Sequence, residues 1–188
     1  MKRIVIFASG SGSNAENLIK FFHNSDNASV IQVLCNNPHA KVLDRAKKLK
    51  VSSLTFNRIA FDETDDVLNI LKASKPDLIV LAGFLWKFPE HILNSFPYKV
   101  INVHPALLPK FGGKGMYGMH VHEAVVANNE TETGITIHYV NENYDEGATI
   151  FQAKCAIKPT DTAADIAAKI HELEMEHFPK IVDNLLNG

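Results

Sequence analysis

The sequence predicts an α/β fold: a largely parallel, twisted sheet with helices on both faces and antiparallel strands in its C-terminal half. Three observations carry that prediction. Apolar strand-like runs alternate with helical patterns through the first half, which is the signature of βαβ units. A glycine-rich turn, Ser9-Gly-Ser-Gly-Ser-Asn14, stands between the first strand and the first helix. Late in the chain, two apolar strands flank the polar stretch Asn141–Gly147. With 188 residues, 46% of them hydrophobic, the chain can bury one good core, and a single domain over residues 1–188 is expected.

Taken in order, strands are expected near Arg3–Ala8, Val30–Cys35, Val51–Phe56 and Leu78–Ala82, with helices near Asn14–His23, Val42–Lys50 and Asp62–Ser74 between them. The helix near Asp62 carries acids in its first turn and lysines near its end, as the helix dipole favours, and Pro76 helps to end it. Val100-Ile-Asn-Val-His104 reads as another strand, stopped by Pro105. A long loop follows to about Met119, and its tract Gly112–Gly118 is glycine-rich; loops of this length tend to be functional or mobile. A helix near Val121–Asn128, strands near Gly134–Val140 and Thr149–Ile157, and a helix from about Thr162 to Leu186 complete the chain. Thr162 or Asp161 is expected to cap that last helix, and Pro179 to kink or break it.

Bulk composition narrows the function. The net charge is −2 with acids and bases interspersed, so the basic stripe of a nucleic-acid binder is missing. No apolar run approaches membrane-spanning length, and the opening residues read as a first strand, not a signal peptide. Cys35 and Cys155 make neither a disulfide framework nor a metal spacing and read as inert reduced core thiols. A cytoplasmic enzyme without a metal fits these features.

Free N–H groups at a helix start, approached through glycines, make an anion site. Gly10-x-Gly12-x-x-Ala15 also meets a loose dinucleotide pattern, but the second strand ends Leu34-Cys-Asn-Asn37 without the acid that a ribose requires. A single phosphate or a bare tight turn remain as readings. Asn102 and His104 lie two apart, so they share one strand face. A carboxamide beside an imidazole can bind a developing oxyanion and move a proton, which is acyl-transfer equipment without a serine or cysteine nucleophile. Asp145 would orient the imidazole and raise its pKa. The alternatives are a hydrogen-bonded core histidine at 104 and a simple turn at Asp145-Glu-Gly147, with Gly147 at positive φ. His120 and His122 give a weak metal signal, and His138 reads as a strand residue.

Together these residues resemble the phosphoribosylglycinamide formyltransferase family, with its Rossmann-like formyltransferase fold. The carrying motifs are Ser9–Asn14, Val80-Leu-Ala-Gly-Phe84, Ile101-Asn-Val-His-Pro-Ala-Leu-Leu-Pro109, Asp145-Glu-Gly147, and Glu172-Leu-Glu174 before Phe178-Pro179. The resemblance implies Asn102, His104 and Asp145 as the catalytic trio. It implies that Gly12, Ser13 and Asn14 hold a ribonucleotide phosphate, with Gly83 and Glu174 beside the same substrate. It places Leu85, Trp86, Lys87 and Phe88, with Asn102 and Asn141, Glu142, Asn143, Tyr144 and Asp145, around a folate. The implied co-substrate is 10-formyltetrahydrofolate, the acceptor is glycinamide ribonucleotide, and the state is a monomer or weak homodimer.

Two features depart from the family pattern. Gly113–Gly118 looks like an insertion, and Trp86-Lys87 stands where many members have Met-Arg or a similar pair, which leaves Lys87 a candidate for the folate glutamate. Methionyl-tRNA formyltransferases share the Asn-x-His strand but add an RNA-binding domain, for which this chain ends too soon. Formyltetrahydrofolate hydrolases carry an N-terminal regulatory domain, whereas here the first strand starts at Lys2. A nicotinamide oxidoreductase and a non-catalytic phospho-ligand sensor are the more distant alternatives.

Overall fold

Strand β1 (Lys2–Ala8) is apolar on both faces because both faces are covered. Ile4, Ile6 and Ala8 enter one hydrophobic core, and Val5 and Phe7 enter another. The computed structural model describes residues 1–188. Around β1 lie β2 (Ala28–Cys35), β3 (Ser52–Thr55), β4 (Leu78–Leu81), β5 (Val100–His104), β6 (Glu132–Tyr139) and β7 (Thr149–Ala156). They form one sheet in the order β3-β2-β1-β4-β5-β6-β7. The pairs from β3 to β5 are parallel, and β6 and β7 extend the sheet antiparallel.

Helices α1 (Ser13–Phe22), α2 (Lys41–Lys48), α5 (Met119–Ala127) and α6 (Ala163–Asn187) supply apolar side chains to the first core. Helices α3 (Asp66–Ser74) and α4 (Glu90–Ser95) cover the opposite face. That second core is aromatic: Phe7 packs edge-on against Phe56, Phe84 and Phe88. The predicted architecture therefore stands, with strand ends shifted by one or two residues.

Two local expectations change, and one short helix is added. The segment from Asp62 to Ser74 is not one helix: a π-helical turn at Ile59–Glu63 precedes α3, and extended backbone at Thr64 separates them. Burial of Phe61 against Phe7 and Phe56 holds that turn, a tertiary contact that no local pattern announces. Helix α4 carries one buried side chain, Ile92, and is too short to show a helical period.

Pro179 does not break α6, which runs unbroken over 25 residues from its Thr162–Asp165 capping box. A proline at 179 leaves the carbonyl of residue 175 without its helical donor. The Asn17 side chain on α1 supplies one, donating Nδ2–H to Met175 O at 2.9 Å. Burial of Phe178 and Pro179 keeps the segment in place. The same contact fixes α6 against α1 one residue from Glu174.

Asn17→Ala should destabilise the fold by about 1–3 kcal/mol, because it strips that carbonyl of its side-chain donor. In a Pro179→Ala background the helix regains its own N–H, and the same Asn17→Ala change should cost less. Urea unfolding of the four-member cycle checks this; strict additivity would refute the donor role.

Candidate active site

The sheet reverses its winding between β1 and β4, and ligands of open α/β sheets bind outside strand carboxyl ends at such a point. A cavity of about 640 Å³ opens there. It is walled by the turn after β1 (Gly10–Asn14), the residues after β4 (Ala82–Leu85), and the end of β5 (Asn102–Pro105). Glu174 of α6, Asp145 and the Gly113–Gly118 tract complete it. Ser9 ties two walls together: its N–H donates to Gly83 O at 3.0 Å and its hydroxyl accepts Leu85 N–H at 3.0 Å.

The glycine turn has the shape of an anion cradle. Gly12 takes φ 75, and a Cβ there would collide with Val42, so only glycine fits. The free N–H groups of the first turn of α1 face the cavity. Arg45 braces the turn from behind, donating Nε–H to Ser11 O at 2.8 Å and pairing with Glu16. Asn14 is buried and donates Nδ2–H to Glu174 Oε2 at 2.8 Å, while its Oδ1 has no partner. Burial pushes the Glu174 carboxyl up to about 7, against the opposing hydrogen bond from Asn14. An orphaned acceptor and a carboxyl poised near neutrality are groups that a ligand's N–H or O–H can satisfy.

Across the cavity, Asn102, His104 and Asp145 converge. His104 Nδ1 lies 3.5 Å from Asp145 Oδ2. His104 Nε2 is 2.8 Å from Phe111 O, and since a carbonyl only accepts, Nε2 carries the proton. Burial drives the His104 pKa below its ordinary value, although Asp145 and the Phe111 carbonyl pull it upward. Asp145 acts on the ring in the direction the sequence predicts, but desolvation of a ring 3% exposed outweighs it. Burial pushes Asp145 up, but His138, His104 and the N–H of Gly113 together hold its carboxyl below the ordinary value. Burial thus favours the neutral form of the ring, while its neighbours favour the ionised form of Asp145.

The turn at Asp145 also differs from expectation. Asp145 itself takes the left-handed conformation, φ 57, which a short polar side chain tolerates. Gly147 is required instead by close approach, since a Cβ there would strike Tyr139 O.

Of the folate set implied by resemblance, Leu85, Asn102, Tyr144 and Asp145 line the cavity. Trp86, Lys87, Phe88, Asn141, Glu142 and Asn143 do not. Phe88 is turned into the aromatic core, and Trp86 packs near Phe56 and under the Arg58 guanidinium. Lys87 is exposed outside the cavity. His120 is turned toward Glu123 at 3.5 Å, whereas His122 is buried and lines the cavity with Nδ1 unpartnered.

Sequence reasoning missed His138. The β5–β6 register sets it opposite Asn102, its Nδ1 donates to Tyr139 O at 2.9 Å, and its Nε2 accepts from Asn102 Nδ2 at 3.2 Å. It therefore fixes which way the carboxamide points, and its Nε2 also lies 3.6 Å from Asp145 Oδ1. An antiparallel pairing of the two strands was foreseeable as a class, but its register was not.

An anion turn facing a carboxamide–imidazole–carboxylate group across one cavity defines a group-transfer enzyme of the acyl type. The formyl transferase family model matches residues 2–182, and the chain belongs to that family. It is 34% identical to the phosphoribosylglycinamide formyltransferase of Bacillus subtilis (strain 168), an alignment covering 99% of this chain and 95% of that protein. The chloroplastic phosphoribosylglycinamide formyltransferase of Arabidopsis thaliana is 31% identical over 96% of this chain, which spans 64% of the plant protein. Among solved structures, glycinamide ribonucleotide transformylase 1 from Geobacillus kaustophilus superposes with a TM-score of 0.90 at 32% identity, covering 99% of each chain.

The Glu174 carboxyl keeps its proton to about 7 in the fold, whereas an ordinary glutamate loses it through 4.5. Its contribution to stability is therefore fully present below pH 4.5 and falls away as pH rises toward 7. Glu174→Gln removes that titration. Relative to the parent, the variant should gain about 1–2 kcal/mol between pH 5 and pH 8, less than full linkage because the carboxylate is partly exposed. Urea midpoints at the two pH values measure it; a gain independent of pH would reject the raised carboxyl.

Proposed function

We propose that this enzyme moves the formyl group of 10-formyltetrahydrofolate to the amine of glycinamide ribonucleotide, a step of purine biosynthesis, as a single-domain cytoplasmic enzyme that is a monomer or weak homodimer. The observation that carries the reading is the joining of a phosphate-type cradle and a proton-moving trio in one cavity. Family membership supports a folate-type co-substrate, and the Bacillus subtilis relative bears the name of this activity. Gly12, Ser13 and Asn14 hold the phosphate through backbone N–H groups. Gly83 and Glu174 contact the remainder of the ribonucleotide, and the pterin lies toward Leu85 and Tyr144.

The amine is the nucleophile, so no covalent enzyme intermediate is required. Asn102 retains an Nδ2–H beyond the one given to His138, and that donor serves the oxyanion formed at the formyl carbon. The proton lost by the attacking amine passes to Nδ1 of His104, where Asp145 stabilises the imidazolium. The same proton then returns to the leaving nitrogen as its bond to the formyl carbon breaks. With Nε2–H tied to Phe111 O, Nδ1 is the ring nitrogen left to take up a proton. Bringing the two substrates together in one cavity supplies much of the remaining acceleration.

Purified protein supplied with both substrates should release deformylated folate. His104→Ala should lower turnover by about 10²–10⁴ while leaving ribonucleotide affinity nearly unchanged. Asn14→Ala should weaken ribonucleotide binding and spare folate binding. Full activity in the His104 variant, or a loss confined to folate affinity in the Asn14 variant, would overturn the assignment. In the parent enzyme, kcat/KM should fall as pH drops below the ordinary imidazole value of 6.5, because the ring must begin unprotonated. Activity that rises on acidification would contradict that order of proton movement.

A further inference from the structure

The cavity wall holds one permanent cation. Lys114 is the single lysine or arginine among its lining residues, which also include Asp145 and Glu174. The cations beside the glycine turn are committed elsewhere: Arg45 and Lys20 both pair with Glu16, and Arg45 also donates to Ser11 O. Lys114 is exposed and enters no ion pair. Its backbone is shaped for display. Met116 N–H donates to Gly113 O at 3.1 Å, so Lys114 and Gly115 are the central residues of a β-turn. Gly115 supplies the positive φ, 89, at the second of them, and a Cβ there would meet nothing within 4 Å. The turn is tied at its base, where Gly113 N–H donates to Asp145 Oδ2 at 3.0 Å.

The position of the turn selects the anion. Phe111 before it packs against the first core, and Val125 of α5 after it belongs to that core, which α1 and α6 also build. Phe84 and Trp86, on either side of Leu85, pack against the second core. Lys114 is therefore rooted on the sheet face that carries the Gly12–Asn14 turn and Glu174. A phosphate ester brings about −1.5 to −2 charges, whereas the end of α1 offers roughly +0.5. The carboxylate of Asp145 adds to the deficit. Asn14 Oδ1 and His122 Nδ1, both buried without partners in the same wall, mark a place prepared for a ligand.

We propose that Lys114 is a binding residue for the ribonucleotide, its ammonium pairing with the phosphate that rests on the N–H groups of Gly12–Asn14. The inference rests on the formyl-transfer reading for the identity of that ligand. Lysine suits the task because a compact charge with three donors on a flexible stem reaches a phosphate oxygen without a fixed geometry. With no partner to give up, it joins the ligand without breaking an existing ion pair.

Lys114→Gln and Lys114→Arg in the full chain test this. Calorimetric titration with ribose 5-phosphate reads the phosphate contact without turnover. The glutamine variant should bind it about ten- to a hundredfold more weakly, as loss of a charge-assisted hydrogen bond implies, and the arginine variant within a few-fold of the parent. In turnover, glutamine should raise KM for the ribonucleotide by a similar factor and leave kcat and KM for the formyl folate within about twofold. Both variants should keep the parent's urea midpoint, since the side chain is exposed and unpaired. A rise confined to KM for the folate assigns the ammonium to the folate's glutamate carboxylates and overturns the proposal. So does ribose 5-phosphate binding that is absent in the parent or unchanged in the glutamine variant. Lys114-dependent binding of ribose 5-phosphate by a protein that releases no deformylated folate would uphold the contact and remove the formyl-transfer reading.

Discussion

The antiparallel pairing of β5 with β6 is the constraint on which the site depends. Its register sets Asn102 opposite His138 and His104 opposite Thr136. A slip of one residue would turn every one of these side chains to the other face of the sheet. Thr136, fully buried, then builds outward from the pairing. Its hydroxyl donates to Ala106 O at 2.7 Å and accepts Leu108 N–H at 3.0 Å, which fixes the chain leaving His104. From there the loop reaches Phe111 and Gly113, and β6 itself runs into the turn that presents Asp145. Both contacts on the imidazole thus descend from one strand pair.

Electrostatics in this pocket follow from burial more than from ion pairing. An imidazole sealed from water loses its proton unless a partner compensates, and one carboxylate does not suffice here. The result suits a group that must first accept a proton. Glu174 obeys the same rule with the opposite charge: desolvation holds its proton near neutrality. Burial therefore favours the uncharged form of the titratable group on each side of the cavity, the imidazole of His104 and the carboxyl of Glu174. Docking of α6 on α1 keeps Glu174 in place, and the Asn17 bond to Met175 O lets a proline sit within that helix without distorting it.

Much of this was legible in the residues. Strand–helix alternation gave the sheet, because a strand covered on both faces must read as a continuous apolar run. Asn102 and His104 stood out because an apolar strand has no need of either, and Gly10–Asn14 because free N–H groups at a helix start attract anions. The rest was hidden for specific reasons. His138 resembles any strand histidine until the register is known. Phe111 acts through a carbonyl, which every residue possesses. The resemblance assigned the Leu85–Phe88 and Asn141–Asp145 stretches through their backbone, and the packing of the Trp86 and Phe88 side chains among the aromatic residues is a tertiary outcome.

By itself the sequence determined the class of fold and the candidate residues of the site, since periodicity and side-chain chemistry are local properties. Tertiary structure alone decided which nitrogen of His104 is free, which way the Asn102 amide points, and whether Pro179 interrupts its helix. Each of those depends on a partner far away along the chain, and hydrogen-bond direction and desolvation exist only once the chain has closed around them.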